Sequence, residues 1–125
     1  MSFKRLALGK SGESLAEKFL KKKGYSIIHK NFRTRSGEID LIARYQEILI
    51  FVEVKTRSGC HLGSPLDAVT ARKQYQVSKV ALEFLSKTNL FNSDARFDVI
   101  SIVYSDKNTL NIEHIENAFD LCYGF

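Results

Sequence analysis

The sequence predicts an α/β protein, a mixed β-sheet flanked by helices. Three observations lead there. Helix-like and strand-like segments follow the order α-β-β-β-α-β-β. Three successive strands lie between two helical segments, so both faces of their sheet need cover. With 125 residues, 44% hydrophobic and 26% charged, the chain has enough apolar side chains for one domain over residues 1–125.

Residues 10–23 read as a helix, with Gly12, Leu15, Ala16, Phe19 and Leu20 forming one apolar stripe. Gly24 stops it at the usual position. Residues 25–32 (YSIIHKNF) read as a strand, Ser36-Gly37 as a turn, and residues 38–44 (EIDLIAR) as a second strand. Tyr45-Gln46-Glu47 reads as a hairpin turn without Gly or Asn. Residues 48–57 (ILIFVEVKTR) form the strongest strand pattern in the chain, followed by a loop over 58–63. Ser64-Pro65-Leu66-Asp67 supplies a helix start: a Ser cap, Pro at the first position and an acid at the third. That helix is expected to run to about residue 86. Residues 96–104 and 109–115 read as the last two strands, before a short turn or helix around 117–121.

Composition excludes several classes. No apolar run approaches the roughly 20 residues that cross a bilayer. The N-terminus is basic but has no apolar h-region, so it does not read as a secretory signal. Cys60 and Cys122 are far apart and in no metal-ligand spacing. Gly9-Lys10-Ser11 lacks the spacing of a phosphate-binding loop. A reducing, cytoplasmic location without membrane contact is the expectation. The net charge of +5 divides as +8 over residues 1–35, +1 over 36–93 and −4 over 94–125. Basicity confined to one end suggests a polyanion partner, with nucleic acid first and Lys21, Lys22 and Lys23 as phosphate contacts. The alternative is a solvated lysine face.

The chemistry concentrates in residues 37–57. Along the third strand Ile48, Ile50, Val52 and Val54 share one face, while Leu49, Phe51, Glu53, Lys55 and Arg57 share the other. Along the second, Ile39, Leu41 and Ala43 are expected on one face, with Glu38, Asp40 and Ile42 opposite. With the turn near residue 46, positions whose numbers sum to about 92–93 face each other, which sets Asp40 against Val52 or Glu53. Adjacent carboxylates repel unless a cation lies between them. Hard oxygen ligands at that spacing suit Mg²⁺ or Mn²⁺. A neighbouring lysine, Lys55, can then orient a metal-bound water or steady a phosphoryl group. Without a metal, the same residues make an ordinary cross-strand ion pair.

Two helical residues extend the cluster. Glu13 falls roughly 90° from the centre of the first helix's apolar stripe and Glu17 roughly 130°. Glu13 is therefore the better placed to reach inward, and Ser14-x-x-Glu17 fits a capping box. Lys73 lies on the apolar side of the second helix with Val69, Val77 and Val80. It either snorkels outward or points at the carboxylates and a phosphate. Arg33, Arg35 and Arg57 flank the motif strands as candidate phosphate contacts or solvated strand ends. Arg96 and Asp98 share a face of the fourth strand and read as an ion pair within the sheet.

GEIDLIAR followed by IFVEVKTRSG resembles the signature of the YraN-like family, uncharacterised bacterial proteins related to endonucleases. The likeness extends through Gly12-Glu13, Lys23-Gly24-Tyr25, Asn31-Phe32-Arg33, Val69-Thr70 with Lys73, Arg96-Phe97-Asp98-Val99 and Asn117-Ala118-Phe119. It implies a restriction-endonuclease-like α-β-β-β-α-β core and the PD-(D/E)xK nuclease superfamily. By position, Asp40 is the motif aspartate, Glu53 the motif acid and Lys55 the motif lysine, while Ile39 replaces the proline. Glu13 resembles the first-helix glutamate of archaeal Holliday-junction resolvases. The expected activity is metal-dependent hydrolysis of phosphodiester bonds, with DNA before RNA and branched or repair-related DNA included. Asp40, Glu53 and the Val54 carbonyl are expected to hold the metal. The competing expectation is a nucleic-acid-binding module of the same fold, acting without catalysis in a larger assembly.

Overall fold

The computed structural model describes residues 2–58, 69–104 and 110–122, with side chains from Gly12 onward. Its elements are α1 (Ser2–Lys22), β1 (Ser26–Thr34), β2 (Gly37–Tyr45), β3 (Ile48–Ser58), α2 (Ala71–Thr88), β4 (Asp94–Tyr104) and β5 (Leu110–Phe119). The strands form one sheet in the order β1-β2-β3-β4-β5. Only β3 and β4 run parallel, and α2 lies between them in sequence as a crossover requires. This is the mixed α/β sheet expected, with the element order of a restriction-endonuclease-like core.

The helices take opposite faces of the sheet. Ala16 and Leu20 of α1 pack on Leu41, Ala43, Ile50, Val52, Ile100 and Ile102. On the other face Val77, Val80, Ala81 and Phe84 of α2 pack on Ile39, Ile42, Leu49, Phe51 and Phe97. Strand β3 is apolar toward both helices over its first half, as expected of a central strand covered on both sides. Its alternation holds as read, with Ile50 and Val52 toward α1 and Leu49 and Phe51 toward α2.

Several local expectations need correction. Helix α1 begins at Ser2, so Gly9 and Gly12 lie inside it. Gly12 is there because α1 crosses β3 at that point: a Cβ would collide with the Thr56 hydroxyl. Ser14 is consequently mid-helix rather than a cap, and Glu17 instead pairs with Lys21 at 2.8 Å and Lys30 at 3.1 Å. Helix α2 takes Thr70 as its N-cap, which accepts from the Lys73 N–H at 3.1 Å. The start expected at Ser64 to Asp67, with Cys60 and His61, lies outside the described residues. Residues 117–119 continue β5 instead of forming a turn, with Asn117 at φ 52 where the β4–β5 register shifts. Ile39 faces α2 along with Ile42, not α1 with Leu41 and Ala43. The cause is local: β2 leaves β3 just before this point, and Asn31 in β1 adopts φ 52 opposite it.

The β2–β3 hairpin closes with the pair Tyr45↔Ile48, leaving Gln46 and Glu47 as a two-residue loop. Both have positive φ, 56° and 86°, the pattern that type I′ turns impose and that Asn-Gly accommodates best. At the same end of the sheet Asp98 is fully buried. Arg96 Nε lies 2.9 Å from it, His114 Nε2 2.7 Å, and the Asn117 N–H donates at 3.0 Å. Burial opposes the Asp98 charge, but the bonds from His114, Arg96 and Asn117 together hold its carboxyl below the usual range.

Replacing Gln46-Glu47 by Asn-Gly should raise unfolding stability by about 1 kcal/mol, read as a shift in the urea midpoint with an unchanged slope. Asp98→Asn should do the reverse, costing about 1–3 kcal/mol, because the partly buried Arg96 guanidinium loses its nearest charge and keeps only Glu116 at 3.4 Å and the Tyr25 hydroxyl. A loss under about 1 kcal/mol would mean the network adds little beyond its packing.

Candidate metal centre between two diverging strands

The site arises where two strands part. The β2–β3 ladder runs from Tyr45↔Ile48 to Leu41↔Val52 and ends there. Strand β2 goes on with β1 alone to Thr34↔Gly37, while β3 goes on with β4 alone to Ser58↔Tyr104. The edge of β3 that faced β2 therefore loses its backbone partner beyond Val52. Asp40 fills the opening: its Oδ2 accepts from the Val54 N–H at 2.8 Å. In an extended strand the N–H and C=O of one residue point to the same edge. The Val54 carbonyl thus faces the same gap as the Asp40 carboxylate.

Glu53 precedes Val54 and points to the α2 face of the sheet. It is 2% exposed. Its Oε2 lies 3.8 Å from Lys73 Nζ, and its Oε1 has no hydrogen-bond partner among the described residues. Of the two orientations open to Lys73, the structure takes the inward one. Lys55 follows two positions later on the same strand face, half-buried. The register expected from sequence, Asp40 against Val52 or Glu53, extrapolates the observed pair Leu41↔Val52 by one step. No ladder pair forms at that step, because the Asp40 side chain has taken the place of the backbone.

Electrostatics mark both carboxyls as strained in their charged form. Burial, then the nearby charges of Glu13 and Glu38, push Asp40 up to about 6 against the pull of the Val54 N–H and Lys73. Burial and the Asp40 charge push Glu53 up to about 8, with Lys73 and Lys55 opposing.

Three more side chains border the gap. Glu13 is half-buried on α1, as its angle on the helix predicts. The Asn31 amide, oriented with its nitrogen toward the acids, donates to Glu13 Oε1 at 3.2 Å and Glu38 Oε2 at 2.8 Å. Asn31 and Glu38 are members of the cluster that the sequence reading left out. The one signal for them was an Asn within a strand and an acid two positions before Asp40.

The structure distributes the other expected contacts unevenly. Arg33 is exposed and reaches Glu38 at 3.4 Å, so it stands at the rim of the cluster. Arg35 is exposed in the β1–β2 turn. Arg57 is half-buried on the Glu53 and Lys55 face, and its Nε has no partner among the described residues. Lys21, Lys22 and Lys23 lie at the other end of α1, at least eight residues or about 12 Å along the axis from Glu13. Lys21 is paired with Glu17. Lys23 Nζ donates to His114 Nδ1 at 2.7 Å and sits over the Phe19 ring at 5.3 Å. These three are not brought to the carboxylates.

A divalent cation fits this arrangement. An orphaned, buried Glu53 oxygen, a second carboxylate at hydrogen-bond distance from the same strand and an inward backbone carbonyl are hard oxygen donors. Among the described residues no three His, Cys, Asp or Glu side chains gather closely enough to enclose an ion. The donors here are two carboxylates and one carbonyl, and water would have to complete the shell of Mg²⁺ or Mn²⁺.

The model of the family described as "Uncharacterised protein family UPF0102" matches residues 12–102, the stretch that holds every one of these carboxylates. A UPF0102 protein of Geobacter metallireducens is 50% identical over 98% of this chain and all of its own length. One of Trichlorobacter lovleyi is 50% identical over 94% of this chain and 93% of its own. One of Syntrophomonas wolfei is 46% identical over 90% and 96%. These likenesses agree with the resemblance carried by GEIDLIAR and IFVEVKTRSG.

Both raised carboxyls bind protons more tightly in the folded chain than in the unfolded one. Their contribution to metal-free stability is complete below the unfolded values near 4 and is lost as pH rises through about 6 and about 8. In EDTA, stability should fall by roughly 5 kcal/mol from about pH 5 to about pH 9. Asp40→Asn should flatten that fall and raise stability near pH 8 by on the order of 1 kcal/mol. Added Mg²⁺ should flatten it in the parent. A lower stability of Asp40→Asn near pH 8 would instead make Asp40 a structural anchor for Val54.

Proposed function

The chain belongs to the uncharacterised UPF0102 family, and we propose that it is a metal-dependent nuclease hydrolysing phosphodiester bonds in DNA, branched or repair-related DNA included. The observation that carries this reading is that Asp40, bonded to the Val54 N–H, lies close enough to Glu53 for the two charges to repel, with a buried Glu53 oxygen unpartnered among the described residues. A purely structural pair has no use for such an oxygen, since burying it unmet costs about 1–3 kcal/mol or more.

Asp40, Glu53 and the Val54 carbonyl would hold Mg²⁺ or Mn²⁺, which supplies an acidified water and neutralises phosphoryl charge. Lys55, on the Glu53 face, would orient the attacking water. Lys73, which lies near Glu53 Oε2, would stand beside the phosphoryl oxygens when Glu53 turns to the metal. Glu13, tied through Asn31 to Glu38, would order the water on the α1 side of the gap. Arg33, Arg35 and Arg57 would position the backbone of the substrate. No helix among the described residues is long and apolar enough to cross a membrane. A cytoplasmic location is part of the proposal on the grounds of cysteine usage, with Cys60 and Cys122 in no disulfide framework.

Incubation with linear and branched duplex DNA in Mg²⁺ or Mn²⁺ tests the proposal. The parent should cleave. Lys55→Ala should slow cleavage by at least about 100-fold while sparing DNA binding. Calorimetry should show saturable Mn²⁺ binding that Asp40→Asn abolishes. A parent that binds DNA but cleaves with neither metal, and an Asp40→Asn that binds Mn²⁺ equally, would turn the reading to a binding module.

A further inference from the structure

A second concavity lies beside the carboxylate gap. It has a volume of about 210 Å³ and is lined by Ser36, Arg72, Tyr75, Gln76 and Lys79. The four α2 residues fall at positions i, i+3, i+4 and i+7, one face of the helix. Lys73 is turned from that face to Glu53. One helix thus aims one cation at the carboxylates and two at the pocket. Arg72 and Lys79 are exposed, and neither forms an ion pair with any described residue.

The strand side of the pocket is built around Gly37. A Cβ there would lie 2.8 Å from Gln76 Cγ, and the residue has φ +149. The absence of a side chain lets the β1–β2 turn close on α2 and shape the concavity. Thr34 and Ser36 fix that turn by donating to Glu83 at 2.6 and 3.2 Å. Ser36 is therefore committed as a donor. The free donors are Arg72 and Lys79 with the Gln76 amide. At about 210 Å³ the pocket is smaller than the roughly 300–1,000 Å³ of a site for a whole small ligand. It has room for a charged group, not for a stacked nucleoside.

Position supplies the class of ligand. Gly37 is three strand residues from Asp40, which is about 10 Å. Phosphates of one DNA strand advance about 3.4 Å each along the axis but also wind around it, so neighbours lie roughly 6–7 Å apart and one to two steps span that distance. We infer that this pocket is a second phosphate subsite, holding the backbone of duplex DNA one to two nucleotides from the bond at the carboxylate gap. The inference rests on the nuclease reading for its substrate, and it adds Arg72, Gln76 and Lys79 as register-setting contacts. A strand anchored there and at Lys73 crosses the gap in a fixed phase, so cleavage has a defined offset from a DNA end or junction.

The test is the salt dependence of binding to a short duplex, measured in EDTA so that cleavage does not enter. Each phosphate contact contributes a slope of about −0.9 in log K against log salt. The double substitution Arg72→Ala with Lys79→Ala should shallow the slope by about 2. Lys18→Ala with Lys87→Ala removes the same charge from exposed positions and should leave the slope nearly unchanged. A parent slope matched by the Arg72/Lys79 variant, or an equal change in the control pair, overturns the subsite and leaves the nuclease reading standing. A shallower slope in a protein that never cleaves keeps the subsite and removes the catalytic reading. A parent with no affinity for duplex DNA overturns both.

Discussion

The hydrogen bond from the Val54 N–H to Asp40 Oδ2 is the constraint on which the site depends. When β2 and β3 part after Leu41↔Val52, the inner edge of β3 is left without backbone partners in the middle of a sheet. A buried amide left unmet there costs as much as a lost hydrogen bond. Asp40 meets it and so becomes fixed beside Glu53. The same parting opens the gap, turns Ile39 to α2 and brings the Val54 carbonyl to the edge. One short contact therefore couples the fold of the sheet to the position of every donor a metal would use.

The chain treats its buried carboxylates in two opposite ways. Asp98 is enclosed by Arg96, His114 and the Asn117 N–H, and its charge is satisfied. Asp40 and Glu53 meet cations only at a distance, and acids gather around them. The first arrangement belongs to a structural ion pair, with Lys23 sealing its outer side through His114. The second stores repulsion that a bound cation relieves. Both clusters sit on the same sheet at opposite ends of α1. The contrast lies in which partners surround each acid, since Asp98 is at least as buried as Glu53.

Helix α2 joins the two concave features of this end of the molecule. Its inner side covers the core with Val77, Val80 and Phe84. Its first three turns carry Lys73 to the carboxylates and Arg72, Gln76 and Lys79 to the β1–β2 turn. A helix seated by its apolar face holds these side chains in fixed relation to the gap. That is the physical basis for the row of cations running from the turn to the carboxylates.

Periodicity and chemistry made much of this legible before any coordinates. Alternation along ILIFVEVKTR gave the two faces of β3, and the hairpin sum gave the register that places Asp40 near Glu53. The angle of Glu13 on α1 and the Arg96–Asp98 pair followed from the same local geometry. What sequence could not decide depends on contacts between elements remote along the chain. Gly12 reads only as part of the apolar stripe of its helix until Thr56 is seen against it, and Gln46-Glu47 takes a strained turn because strand pairing on both sides over-determines it. Asn31 and Glu38 join the cluster only because β1 twists where β2 leaves β3. Lys21–Lys23 carry the positive charge that contacts to a phosphate backbone need, yet the direction of α1 across the sheet takes them away from the carboxylates. Sequence alone determined the strands, their faces and the reactive side chains, because these follow from repeats a few residues long. Tertiary structure decided which charges converge and which are spent in pairs, because that depends on where two strands diverge and how two helices cross them.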